Sequence, residues 1–260
     1  MPPEAAAGVE LHPAAAPAVE AWAKKPSLRA VYGGYYEAMA RRVPEGGRIL
    51  EIGAGTGHSR DFFKGRDVVR LDILPAPWID IVADAHDLPL PPASVDAIVM
   101  LDVLHHLADP PKFFEGVERV LKPGGRCIMI DPAMSPIGWF FFSVFHPEPV
   151  DMSANPMVRQ TYGETKDPYD SNQAIPALLF KKRIYRRQFE QKFPTLHIAE
   201  TRTMSLVAYP LCGGFQPWSL ISGGVAKALL KLELFLEPVL APLMGFRLLV
   251  TLEKARGPKG

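Results

Sequence analysis

Ile49-Leu50-Glu51-Ile52-Gly53-Ala54-Gly55-Thr56-Gly57 reads as an apolar strand that ends in a carboxylate and a three-glycine turn opening a helix. Glycines at 53, 55 and 57 let the chain turn tightly and bring bare backbone against a ligand, so the segment reads as a small-molecule cofactor site. A dinucleotide turn wants G-x-G-x-x-G, with pyrophosphate on the helix N-terminus. Here His58 holds the place of the third glycine. The spacing is E-x-G-x-G-x-G, and Glu51 repels a pyrophosphate but attracts a cationic or amino-bearing ligand.

Working outward, Val68–Asp72, Ile79–Ala85, Val95–Asp102 and Arg126–Asp131 are further apolar runs, each with an acid at or near its end. Near-continuous apolar strands alternating with helical stretches predict a parallel sheet covered on both faces, with ligands beyond the carboxyl ends of the strands. Asp72, about 20 residues after the turn, is placed to hold ribose hydroxyls, and Asp84 to meet an adenine amino group. Pro110-Pro111 starts a helix whose buried stripe is Phe113, Phe114, Val117, Val120 and Leu121, and Pro123-Gly124-Gly125 ends it.

These pieces together resemble a class I S-adenosylmethionine-dependent methyltransferase of the type-11 methyltransferase domain family. The resemblance covers residues 48 to 132. It rests on Leu50-Glu51-Ile52-Gly53-Ala54-Gly55-Thr56-Gly57, Leu71-Asp72, Ala83-Asp84-Ala85 with Leu88-Pro89-Leu90-Pro91, Asp102-Val103-Leu104-His105-His106-Leu107, and Arg119-Val120-Leu121-Lys122-Pro123-Gly124-Gly125, in that order. It implies an α/β, Rossmann-like fold with a mostly parallel seven-stranded sheet, helices on both faces and an antiparallel last strand. The implied cofactor is S-adenosyl-L-methionine, leaving as S-adenosyl-L-homocysteine. Glu51, Gly53, Ala54, Gly55 and Gly57 would face its methionine part, Asp72 the ribose, Asp84 and the Ala85 backbone the adenine, and backbone near Leu101 the methionine amino group. His105 and His106 belong to a helix-start motif common in the family and are read as structural.

One spacing departs from that pattern. Only Ile73 to Trp78 separates the second strand from the third, too few for a crossover helix. An irregular crossing stiffened by Pro75 and Pro77 is expected instead.

A formal net charge of +1 gives no field that would recruit nucleic acid. The basic cluster Lys181-Lys182-Arg183 with Arg186-Arg187 reads as a solvated helix face. Cys127 and Cys212 make neither a disulfide framework nor a metal set, so a reducing, cytoplasmic setting is the default. Residues 1 to 26, rich in alanine and proline, read as a mobile leader, and Ser27–Arg42 as an amphipathic helix placed as a lid over the cofactor. The rest, 27 to 260, reads as one domain, in which 27–132 binds cofactor, 133–195 covers the acceptor side and 196–260 carries the last strands.

That acceptor side contains the aromatic run Trp139–Phe145 and a polar set that includes His146, Glu148, Asp151, Tyr162, Asp167, Tyr169, Asp170, Asn172 and Gln173. Aromatics beside polar groups suit a pocket for a small acceptor that is apolar, aromatic or lipid-like. His146 is the first candidate for a base and Glu148 the second. Leu196–Tyr209 and Phe246–Glu253 read as the last strands. Between them, Gly224–Glu237 reads as a helix with Lys227, Lys231, Glu233 and Glu237 on one arc and Val225, Ala228, Leu229, Leu232, Phe235 and Leu236 opposite. No stretch is long and apolar enough for a membrane span. Buried packing is the first reading of both the helix and the aromatic run, and an apolar acceptor pocket or a surface resting on lipid is the second. The other reading is a non-catalytic S-adenosylmethionine-binding regulatory or partner protein.

Overall fold

The computed structural model describes residues 10–160 and 170–256; residues 1–9 of the expected leader, and Tyr162, Asp167 and Tyr169 of the polar set, lie outside them. Seven strands form one sheet in the order β3-β2-β1-β4-β5-β7-β6. They are β1 (Arg48–Ile52), β2 (Asp67–Asp72), β3 (Ile81–Val82), β4 (Val95–Leu101), β5 (Leu121–Pro132), β6 (Leu196–Met204) and β7 (Arg247–Lys254). The first five pair in parallel, and β7 lies antiparallel between β5 and β6. This is the expected Rossmann-like architecture. Its central strands are apolar on both sides because two separate cores form, one on each face of the sheet.

Helix α1 (Ala16–Lys24) and α2 (Pro26–Ala40) cover one face together with α8 (Gly223–Met244). The other is covered by α3 (Pro110–Val120), α5 (Ile175–Lys181) and α6 (Arg183–Lys192). In α3 the stripe Phe113, Phe114, Val117 and Val120 is buried as its spacing predicts, and Asp109 caps it by accepting from the Lys112 N–H at 3.0 Å. The glycine pair after α3 makes no separate turn before β5. Strand pairing jumps from Val95↔Leu121 to Ala97↔Arg126, so residues 122–125 bulge out of the ladder.

Three expectations are corrected. The glycine turn opens no α-helix: residues His58–Asp61 make a single 3-10 turn, with Gly65 left-handed soon after. The space is filled from the N-terminal side. Trp22 of α1 stacks on His58 with centroids 4.5 Å apart, and Tyr36 of α2 stacks on Phe62 at 5.1 Å. Residues 16–24, assigned to the leader on composition, are therefore helical, with Trp22 buried. Gly33, inside α2, lets the Phe62 ring abut the backbone of that helix.

The second correction concerns β6. The strand stops at Met204 rather than running to Tyr209, and Ala208–Cys212 forms the short helix α7. Ser205 is left-handed, and its N–H donates to Glu237 while those of Leu206, Val207 and Ala208 donate to Glu233, at 2.6–2.9 Å. Backbone donors freed from the ladder are thus satisfied by two carboxylates of α8.

The third follows directly. Those two acids are buried, so the expected polar arc of α8 divides: Glu233 and Glu237 face inward while Lys227 and Lys231 stay exposed, and of the apolar arc Val225, Leu232 and Phe235 face out while Leu229 packs on the core. The helix also continues past Pro238 and Pro242 to Met244.

Candidate functional site

At the carboxyl ends of β1, β2 and β4 lies a cavity of about 620 Å³, a size typical of small-molecule sites. Its wall includes Gly53, Ala54, Gly55, Asp72, Asp84, Ala85 and Leu101, seven of the nine positions expected to hold cofactor. Gly55 is left-handed, and a Cβ there would meet nothing nearer than the Gly53 carbonyl at 3.8 Å, so the cavity approaches bare backbone.

The remaining two positions serve the turn from behind. Glu51 is buried; its carboxylate accepts from the Ser59 hydroxyl and lies 3.7 Å from Arg70 Nε, so it does not face the cavity as expected. Arg70, itself fully buried, donates to the Gly57 carbonyl at 2.6 Å. A Cβ on Gly57 would fall 2.3 Å from the Trp78 ring. Trp78 closes the arrangement by donating its indole N–H to the Gly55 carbonyl at 2.8 Å. A charged pair under the turn and an indole beside it hold the glycine backbone in place, which the glycine pattern alone did not disclose.

The short crossing contains no helix, as expected. Ile73, Leu74, Pro75 and Ala76 line the cavity directly, where a longer connection would have placed a helix. Asp72 ties the crossing to the turn, accepting from the Gly55 N–H at 2.8 Å and the Leu74 N–H at 2.9 Å. Asp84 caps the next turn by accepting from the His86 N–H at 2.9 Å and contacts His86 Nδ1 at 2.6 Å. Because His86 Nε2 accepts from the Asp109 N–H, Nδ1 carries the ring proton and donates it to Asp84. His86 and Lys112, neither singled out from sequence, also line this end.

The opposite end is formed by Tyr32, Asp102, Val103, His106 and Phe215, while Arg159 lines the cavity beside Ala108, to whose carbonyl the Gln160 N–H donates at 2.6 Å. Asp102 is left-handed, and its carboxylate accepts from Tyr32 at 3.0 Å and from buried Arg247 at 2.5 Å. Burial, and then Asp102, push the Tyr32 phenol well above its ordinary range, so it stays a donor. Tyr32 brings α2 over the cavity, as a lid helix would.

Neither base candidate lines the cavity. His146 ends α4 (Pro136–Phe145), packs edge-on against Phe142, and is pushed toward neutrality by burial. Glu148 is instead drawn to the histidine pair. It accepts from Ser171 at 3.0 Å and from Gln173, and lies 3.3 Å from His105 Nε2. The other His105 nitrogen meets buried Asp131 at 2.8 Å. Burial opposes the charged form of both partners, yet the hydrogen bonds prevail: His105 rises to about 9 and Glu148 falls to about 2. His106, its ring tilted against that of His105 with centroids 4.2 Å apart, is lowered to about 4 by burial and then by the His105 charge. The pair read as one motif is therefore split in role. His105 is a buried cation between two carboxylates, and His106 is a neutral imidazole at the cavity wall.

Nor does the aromatic run line the cavity. In α4 only Phe142 among the aromatics is fully buried, while Trp139, Phe140 and Phe145 are exposed.

Residues 50–129 match the family described as methyltransferase domain. A protein of Mycolicibacterium smegmatis named as a probable S-adenosylmethionine-dependent methyltransferase is 36% identical over 109 residues, 37% of this chain and 42% of that protein. Demethylmenaquinone methyltransferase of Clavibacter sepedonicus is 34% identical over 107 residues, 35% of this chain and 44% of that protein. The chain thus spans less than half the length of these curated relatives. A crystal structure of geranyl diphosphate C-methyltransferase from Streptomyces coelicolor, in complex with Mg2+, geranyl-S-thiolodiphosphate and S-adenosyl-L-homocysteine, shares the fold with a TM-score of 0.51 at 15% identity, covering 86% of this chain and 76% of that one. Residues 50–129 are accordingly a class I S-adenosylmethionine-dependent methyltransferase domain, and the cofactor of that domain is S-adenosylmethionine.

The cavity fits that cofactor on its own geometry: bare backbone at Gly55, carboxylates at Asp72 and Asp84, and an apolar wall between them. Asp84→Ala removes the carboxylate that the family resemblance assigns to the adenine and is expected to weaken S-adenosyl-L-homocysteine binding about tenfold, the worth of one charge-assisted hydrogen bond. Calorimetric titration checks it; unchanged affinity would place the adenine elsewhere.

Proposed function

We propose that the whole chain transfers the methyl group of S-adenosylmethionine to a small apolar or aromatic acceptor. What carries this reading is one continuous cavity that runs from the glycine turn, Asp72 and Asp84 to Tyr32, Phe215 and His106. The acceptor would lie against the aromatic end, where Tyr32 and Phe215 pack edge-on at 5.0 Å. The relative named demethylmenaquinone methyltransferase is in keeping with an apolar acceptor.

Bound cofactor supplies a methyl group on a positively charged sulfur, open to in-line displacement. The protein's part is alignment at contact distance, and much of the rate comes from it. An acceptor that keeps its proton needs a base, and the choice moves from His146 and Glu148 to His106. Of the three it alone lines the cavity, and it is neutral above about pH 4. Glu148 acts through His105 as a positioning residue. Residues 133–195 remain our assignment for the acceptor-side cover, since Arg159 reaches the cavity from there.

Incubating the protein with methyl-labelled donor and fractionated apolar metabolites should yield a labelled product. His106→Ala should lower kcat about 10²–10⁴-fold with S-adenosyl-L-homocysteine affinity unchanged. Turnover that survives the substitution removes His106 as the base. Cofactor binding without transfer to any fraction would favour a binding protein over an enzyme.

A further inference from the structure

Three adjoining segments expose apolar side chains with almost no charge among them. Helix α4, Pro-Ile-Gly-Trp-Phe-Phe-Phe-Ser-Val-Phe, has no ionisable residue, and neither does the loop 213–222. Helix α4 packs against α8. On α8, at about 3.6 residues per turn, Val225, Leu232, Phe235, Val239 and Leu243 fall on one side. All are exposed, Phe235 at 81% and Val239 at 78%. Phe145 on α4 and Leu220 in the loop reach 68% and 72%.

What accounts for a face of this kind is the fate of the charges on α8. The helix carries two lysines and two glutamates. Both glutamates turn inward, Glu233 to three backbone N–H groups and Glu237 to Ser205 and Arg202. Lys227 and Lys231 stay exposed, beside the apolar arc. Outward, α8 therefore presents hydrocarbon flanked by positive charge alone. A second protein surface would need neither the one-sided sign nor the absence of acids. An anionic bilayer calls for both, with Trp and Phe at the interface and lysines toward the headgroups.

We propose that α4, the 213–222 loop and α8 rest on the surface of an anionic lipid bilayer. No helix among the described residues is long and apolar enough to cross one, so the contact is peripheral. The loop also gives the contact a purpose. Phe215 lines the cavity, while Trp218 and Leu220, a few residues on, are exposed on the patch. Lys25 donates to the carbonyls of Gly214 and Gln216 at 2.6 and 2.7 Å, and Ser27 and Ser219 share a hydrogen bond, so the loop is fastened to the start of α2. An acceptor dissolved in lipid would reach the cavity along this loop. That deepens the proposed function and rests on it, whereas bilayer binding itself does not.

The test is flotation of the full chain with vesicles of phosphatidylcholine alone or mixed equally with phosphatidylglycerol, and calorimetry with S-adenosyl-L-homocysteine on the same samples. The protein should float with the mixed vesicles and far less with the neutral ones. Lys227→Gln with Lys231→Gln should reduce partitioning roughly 30-fold, from about 1 kcal/mol per lysine. Leu232→Asp with Phe235→Asp should reduce it at least about tenfold. Both variants alter exposed side chains and should keep cofactor affinity and melting temperature. Protein that stays unbound with mixed vesicles while still binding S-adenosyl-L-homocysteine overturns the bilayer proposal and leaves the methyltransferase reading standing. A dimer in sedimentation velocity that Phe235→Asp dissociates also overturns it, since the face would then join two copies. Loss of cofactor binding with flotation intact would strike the function alone.

Discussion

His105→Leu is expected to destabilise the protein by about 3–5 kcal/mol, because it leaves two carboxylates facing a site that no longer holds a cation. Asp131 and Glu148 converge on that ring from two sides, and His105 and Asp131 are fully buried. The effect has a pH signature that simple loss of packing lacks. The folded-state pKa of His105, about 9, lies above its ordinary 6.5, so its stabilisation is complete below pH 6.5 and disappears as pH rises through 9. Glu148, held near 2 against an ordinary 4.5, contributes above pH 4.5 and loses that contribution as pH falls toward 2. Asp131 works the other way: burial raises its carboxyl despite the His105 hydrogen bond, so the acid limb is shallower than Glu148 alone would give. Urea unfolding of the two proteins should show the largest gap between pH 4.5 and 6.5, narrowing toward pH 10. A gap constant across this range would mean that His105 is neutral in the folded state.

Gly53→Ala is the second large effect, read in cofactor affinity. The residue is left-handed, at φ +68°, and an added Cβ would lie 2.3 Å from Val103 Cγ2. The backbone penalty is roughly 1–2 kcal/mol and the overpacking roughly 1–3. Relief requires the turn to move, and its hydrogen bonds to Leu71 and Asp72 fix the wall of the cavity. Affinity for S-adenosyl-L-homocysteine should fall at least about 30-fold. Adding Val103→Ala removes the clash but not the backbone penalty, so part of the loss should return. Gly55→Ala should also weaken binding, through its own left-handed backbone and the space the ligand needs, and there Val103→Ala should restore nothing. Equal rescue of both variants would show that the two glycines do not serve these separate purposes.

The cofactor half was legible because its signals are local. Strand periodicity, the glycine turn and acids at strand tips each depend on a few consecutive residues, and those strands stand within the stretches read for them, although the third shrinks from Ile79–Ala85 to Ile81–Val82. The missing crossover helix was also readable, since the number of residues between Asp72 and Ile79 sets what can fit. The acceptor side was read less well. His146 was ranked first as a base and Glu148 second, two residues apart, but one is packed on Phe142 and the other is drawn to His105. His106 was set aside as part of a helix-start motif, and its place on the cavity wall has no local signal.

Helix α8 shows most plainly where sequence stops. Its period assigns the apolar arc to the core, because burying hydrocarbon outweighs burying charge when nothing else is known. Four backbone N–H groups at the end of β6 reverse that choice by binding Glu233 and Glu237, a pairing across some thirty residues of chain. The parallel strands of the first half and the cofactor turn are carried by short-range pattern and chain length, and the antiparallel last strand was implied by the family resemblance. Which imidazole meets the cavity, which carboxylates are neutralised and which face of the last helix meets the outside depend on partners distant in sequence, and the energetics of those pairings exist only once the chain has folded.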